Sequence, residues 1–198
     1  MAVAQPAVLA DVWTDRAEGA QSLARQAILV LGGAAFVGLA AQVAIPLPFT
    51  PVPLTLQTFA VLLAGAALGS LRGVLAMSLY AVAGIAGVPW FAEGSSGFAM
   101  PSFGYILGFI VAAGIVGRIA ERGATLTVWR TAGLMVLGNL VIYAVGVTWL
   151  KYAIDSTWAT ALQLGVAPFL IGDVVKIALA AGLLPLTWAG LRKAGLLK

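Results

Sequence analysis

"FLIGDVVKIALAAGLL", residues Phe169 to Leu184, is the stretch on which the reading of the whole chain turns. With its flanks, from about Ala167 to Trp188, it is long and apolar enough to cross a bilayer, which takes roughly 20 mainly apolar residues. It nevertheless carries Asp173 and Lys176. A charge inside a membrane costs about 2.5–3.5 kcal/mol on insertion scales, so two of them need a reason to be there. At i and i+3 they share one helix face and partly neutralise each other. Two readings follow: a self-satisfied pair, or a pair opened by a polar ligand whose donors meet Asp173 and whose acceptors meet Lys176.

The rest of the chain is of the same kind. Of 198 residues, 62% are hydrophobic and 9% charged, and the mean hydropathy is +1.04. That leaves too little polar surface to keep a globule of this size in water, and the chain reads as an integral membrane protein whose first partner is the lipid bilayer. It has no cysteine and no histidine. Disulfides, thiolate or imidazole metal sites, cysteine nucleophiles and Ser-His dyads are therefore excluded.

Charge-free intervals mark the crossings. From Gln26 to Leu71 no residue is charged, and the interval holds two crossings separated by "PLPFTPVP", residues 46–53, whose prolines cannot continue a helix. The second crossing is short. A third spans Gly73 to Ala92, a fourth starts near Pro101, a fifth spans Thr131 to Leu150, and the sixth is the opening stretch. The expected fold is an all-α integral membrane protein with six transmembrane helices. Residues 1–25 are expected to form a cytoplasmic tail with one surface helix, 26–192 the transmembrane domain, and 193–198 a second cytoplasmic tail. The first 25 residues lack the basic start, apolar core and small-residue cleavage site of a secretory signal.

Short cytoplasmic loops collect Lys and Arg, which tests this topology. With both termini cytoplasmic, the inner segments hold Arg16, Arg25, Arg72, Arg118, Arg122, Arg130, Arg192, Lys193 and Lys198, and the outer loops hold Lys151 alone. The net charge of +4 thus reports orientation and gives no sign of nucleic-acid binding. The location is a cell membrane, crossed several times.

Orientation fixes the depth of the polar residues at 1.5 Å rise per helical residue. Asp173 and Lys176 lie one to two turns below the outer end of the sixth crossing. Asn139 falls near mid-membrane on the fifth, with Tyr143 one turn further out. Gln57, Thr55 and Thr58 begin the second crossing at its outer side, and Tyr105 begins the fourth there. Asn139 and Tyr143 alone read equally well as interhelical glue and an interface residue; their shared depth with Asp173 points to one cavity. The outer loop "AEGSSGFAMPSFGY", residues 92–105, suits a lid whose backbone amides meet a ligand, although turn chemistry explains it nearly as well. In the first crossing, Ala34 and Gly38, and Ala40 and Ala44, make small-xxx-small pairs that let another helix approach, either within the chain or from a partner.

What is missing is equally informative. No Gly-Lys dipeptide occurs, so there is no P-loop and ATP hydrolysis must lie in other subunits. One carboxylate within the crossings cannot make a paired-aspartate protease, and no nucleophile can be matched to a base. No inverted repeat of the transporter kind is evident. The chain is not expected to be an enzyme, to hold a metal or to carry a cofactor.

Three segments, "PVPLTLQTFAVLLAGAALG" from Pro51, "GNLVIYAVGVTWL" from Gly138 and "GVAPFLIGDVVKIALAAGLL" from Gly165, resemble the signature segments of the BioY family, the biotin-specific S components of energy-coupling factor (ECF) transporters. The resemblance runs from the first crossing to the sixth. It implies a subunit that captures biotin with high affinity from outside and delivers it with a transmembrane T component and two ATPase subunits. It also implies that Asp173 and Lys176 match the family's polar pair and that Asn139 and Tyr143 match its polar positions on the fifth helix. The ureido ring of biotin, two N–H donors and one carbonyl, suits a carboxylate, an ammonium and an amide, while its thiophane ring and alkyl chain suit apolar walls such as Trp90, Phe91 and Trp149. The loop before the fourth crossing departs from the family pattern, with Glu93 to Gly97 and then Met100, Pro101, Ser102 and Phe103, and offers no arginine for the biotin carboxylate. Backbone amides near Ser95 and Ser96, or Lys151, are the candidates. The small-residue face of the first helix would dock the T component. The competing reading is a self-sufficient vitamin carrier with Asp173 as its proton-coupling site.

Overall fold

The computed structural model describes residues 7–14 and 19–197. Arg16 and Lys198, counted above for orientation, lie outside the described residues. The described chain is built from helices α1 (Asp11–Thr14), α2 (Gly19–Ala41), α3 (Gln57–Leu68), α4 (Ser70–Ile85), α5 (Phe103–Ala120), α6 (Val128–Ala153), α7 (Trp158–Gly165) and α8 (Leu170–Lys193), with a two-stranded hairpin of β1 (Ala44–Ile45) and β2 (Leu54–Thr55). Helices α2, α5, α6 and the stretch running through α7 and α8 are long and apolar enough to cross a membrane, whereas α3 and α4 are shorter.

Small residues set how closely these helices pack. The bundle centres on α5, which lies against α3, α4 and α6. A Cβ built at Gly65 would come within 3.0 Å of the Ala113 backbone, and one at Gly117 within 2.5 Å of the backbone of Gly69 and Ser70. α3 and α4 are separate helices because Gly69, at φ 86°, breaks the run. That value lies in the left-handed region where a side chain is strained. The Ser70 amide freed by the break donates to Glu121 Oε1 at 2.7 Å. Helix starts leave such amides unpaired, and Glu121, the residue after α5, fills the gap. On the same end of the bundle the N-terminal segment is tied down: Ala10 donates its amide to Ala67 O at 2.9 Å, and Arg72 pairs with Asp11 at 2.8 Å.

Several expected boundaries move, each for a local reason. The first helix starts at Gly19, ahead of Gln26, because Arg25 ends an apolar run without ending a helix. The third stops at Ile85 and does not reach Ala92, since Gly87 adopts φ 104° and Pro89 cannot continue it. The last helix extends to Lys193, past Trp188. The loop after α6 folds a helix of its own, α7, started by Thr157, whose hydroxyl accepts from the Thr160 amide at 3.2 Å.

The hairpin and the loop after α4 close one end of the bundle. Thr50 donates to Leu164 O at 2.8 Å and so pins the proline-rich loop onto the end of α7. Phe91 is buried and fits over Gly84, where any Cβ would collide with its ring.

Candidate functional site

A cavity of about 550 Å³, its mouth included, opens among α3, α5, α6 and α8 beneath the hairpin and the loop after α4. Its polar groups gather on one side. Asp173, in the first turn of α8 and 4% exposed, accepts a hydrogen bond from the Tyr143 hydroxyl of α6. Lys176, one turn on, donates to Thr58 Oγ1 of α3 at 2.9 Å and lies 3.4 Å from Asp173 Oδ1. The ion pair is therefore tied to two other helices through its own side chains. Its long Lys–Asp separation leaves both charges able to accept a further partner.

The remaining walls are mostly apolar: Phe91, Met100, Ile106, Phe109 and Phe169, with Val52, Pro53 and Leu54 from the hairpin. Gln57 and Tyr105 line the space as well, each held from behind. The Gln57 amide donates to Tyr80 Oη at 2.7 Å, and Tyr105 donates to Gly165 O at 2.7 Å. Polar atoms fixed in this way present a defined donor or acceptor pattern to whatever enters.

Of the residues singled out in the sequence, Asp173, Lys176, Tyr143, Gln57, Tyr105 and Phe91 line this cavity. Five others do not. Trp90 packs beside Tyr80 and over Gly38, donating its indole N–H to Tyr80 O at 3.0 Å. Trp149 stands behind Phe103 and donates to Met100 O at 3.2 Å, which holds the Met100 wall in place. Ser95 donates to Ala92 O at 2.7 Å and shapes the turn under Phe91, and Ser96 is exposed. Asn139 lines a separate inner space, with Lys176 between it and the cavity. Lys151 sits over the rings of Tyr152 and Trp158, at 4.2 and 5.5 Å.

The small-residue face of α2 is occupied within the chain. Ala34 and Ala40 are buried and Gly38 lies under Trp90, while Ala44 is half-buried in β1. Close packing against α3 and α4 uses these residues, so they form no free docking face.

Sequence reasoning gave no site role to Thr58, although its depth matched that of Gln57. Tyr80, Met100, Phe109 and Phe169 carried no signal, being apolar or aromatic residues in apolar segments.

A family model described as the BioY family matches residues 12–193. Biotin transporter BioY of Rhodobacter capsulatus is 39% identical over 186 residues, covering 86% of this chain and 95% of that protein. Probable biotin transporter BioY of Pyrococcus horikoshii is 38% identical over 160 residues, 79% of this chain and 92% of that protein. Biotin transporter BioY of Thermotoga maritima is 36% identical over 140 residues, 69% and 81% respectively. The crystal structure of the S-component for biotin from an ECF-type ABC transporter superposes with a TM-score of 0.78 at 23% identity, over 89% of this chain and 95% of that one, and shows that the fold is shared. From residue 12 to residue 193, the chain belongs to the BioY family.

Proposed function

We propose that this chain is a membrane-embedded, high-affinity biotin-binding subunit that takes the vitamin from outside and passes it across with an ATP-driven ECF module. The observation that carries the reading is the convergence of Asp173, Lys176, Tyr143 and Thr58 on one side of an otherwise apolar cavity. Biotin has the matching distribution: two N–H donors and a carbonyl at one end, then sulfur and methylene groups. The ureido N–H groups meet Asp173, the carbonyl meets Lys176, and the rings of Phe91, Phe109 and Phe169 face the thiophane and alkyl chain. The valerate carboxylate points to the mouth, and Thr55 and Ser102 are lining residues that offer hydroxyls.

The same reading places six crossings in the cell membrane, with α3 and α4 as the short ones and both termini cytoplasmic. The Lys and Arg distribution supports this orientation. A T component and two ATPases complete the transporter; the absence of a P-loop motif and the S-component fold support that partnership. A biotin analogue lacking the ureido carbonyl tests the orientation. It should bind far more weakly, because Lys176 would be left without its acceptor; equal affinity contradicts the arrangement.

A further inference from the structure

Asn139 stands apart from the cavity it was expected to line. It is 7% exposed, and its Oδ1 is buried without a hydrogen-bond partner, the one such side-chain atom among the described residues. Buried polar atoms in folded proteins are paired as a rule, so an orphan marks a missing partner. Asn139 faces a small space walled by Thr58, Leu62, Met135, Ile177 and Ala180, and by Lys176.

Lys176 belongs to both spaces and separates them. Its ammonium has three donors. Thr58 takes one at 2.9 Å and Asp173 another at 3.4 Å. The other walls of the inner space are apolar, apart from the Thr58 hydroxyl already engaged. Asn139 Oδ1 is thus the free acceptor on that side, and the space between is of the order of one water molecule.

We propose that Asn139 is a positioning residue for Lys176. Its Oδ1 accepts from the ammonium through a single water held in the inner space, and Asn139 does not touch the ligand. When a ligand N–H occupies Asp173, this link keeps Lys176 anchored and aims its remaining donor at the ligand's acceptor. The identity of that ligand rests on the biotin reading; the Asn139–Lys176 link does not.

The test uses the purified full chain with Asn139→Leu, Asn139→Asp, Lys176→Met and the Asn139→Leu/Lys176→Met double variant. In the ligand-free protein, Asn139→Leu should shift the melting temperature by different amounts in the wild-type and Lys176→Met backgrounds. Equal shifts in both overturn the link, whatever the ligand. For biotin binding, Asn139→Leu should weaken affinity about 10-fold, the effect of losing one charge-assisted hydrogen bond. Asn139→Asp, which keeps an acceptor, should bind more tightly than Asn139→Leu. Wild-type affinity in Asn139→Leu, or equal loss in Leu and Asp variants, overturns the proposal. If Asn139→Leu does not fold, Asn139→Ala takes its place in both experiments. A wild-type chain that ignores biotin while the melting temperatures still couple would break the biotin reading alone.

Discussion

Lys176 on α8 lies nearer to Thr58 on α3, at 2.9 Å, than to Asp173 on its own helix, at 3.4 Å. An i, i+3 pair in an apolar helix could satisfy itself, yet here the ammonium is shared with another helix. Asp173 likewise reaches out, to Tyr143 of α6. The pair therefore joins three helices around the cavity, and a ligand that engages it touches all three.

Thr58→Val keeps the shape and removes the hydroxyl. One hydrogen bond to a charged group contributes about 1.5–3 kcal/mol. Biotin affinity should fall by about 10-fold or more, measured by titration calorimetry, with helical content unchanged by circular dichroism.

Tyr143→Phe removes the donor to Asp173. A buried carboxylate left with one fewer partner destabilises the bundle by about 1–3 kcal/mol. The melting temperature of the ligand-free protein should drop, and Tyr152→Phe, on an exposed side chain at the end of α6, should leave it unchanged.

Gly146 holds open the space for Tyr105. A Cβ there would press into the Tyr105 ring, whose hydroxyl is anchored on Gly165. Gly146→Ala should displace the ring toward the cavity, costing about 1–3 kcal/mol in stability and weakening biotin binding. Gly133→Ala, where nothing lies within 4 Å, is the matched control and should do neither. Paired melting and calorimetry experiments on the two variants check this.

At the other end of the bundle, Asp11→Asn should loosen the N-terminal segment. Asp11 pairs with the half-buried Arg72 and accepts from the amides of Ala7 and Val8. Hydrogen exchange at Val8 and Ala10 should quicken, while biotin affinity stays at its wild-type value because none of these residues lines the cavity.

The membrane character, the order of the helices and the Asp173–Lys176 pair were legible because a charge in an apolar run is a sharp signal. A common level along the bundle was legible too: Tyr143, Gln57 and Tyr105 do meet Asp173 and Lys176 around one cavity. Where the cavity ends was not. Asn139 and Tyr143 share one face of α6 a turn apart, and nothing in the sequence told that Lys176, reaching across to Thr58, divides the space between them. Trp90 and Trp149 were assigned to the walls by chemistry, yet indoles also serve as supports with their N–H satisfied by backbone, and that is their place here. The small residues of α2 were ambiguous for a like reason, since close packing looks the same in sequence whether the neighbour is in the chain or in another.

Titration calorimetry of the purified chain with biotin, beside Asp173→Asn and Lys176→Met, tests the central claim most directly. Removing one member of a buried, hydrogen-bonded charge pair that a ligand engages costs about 2–5 kcal/mol. The account predicts tight binding at a stoichiometry near one in the wild type, and affinity weakened about 30-fold or more in both variants. Wild-type affinity in both variants would contradict it and leave Asp173 and Lys176 as a pair that satisfies only itself.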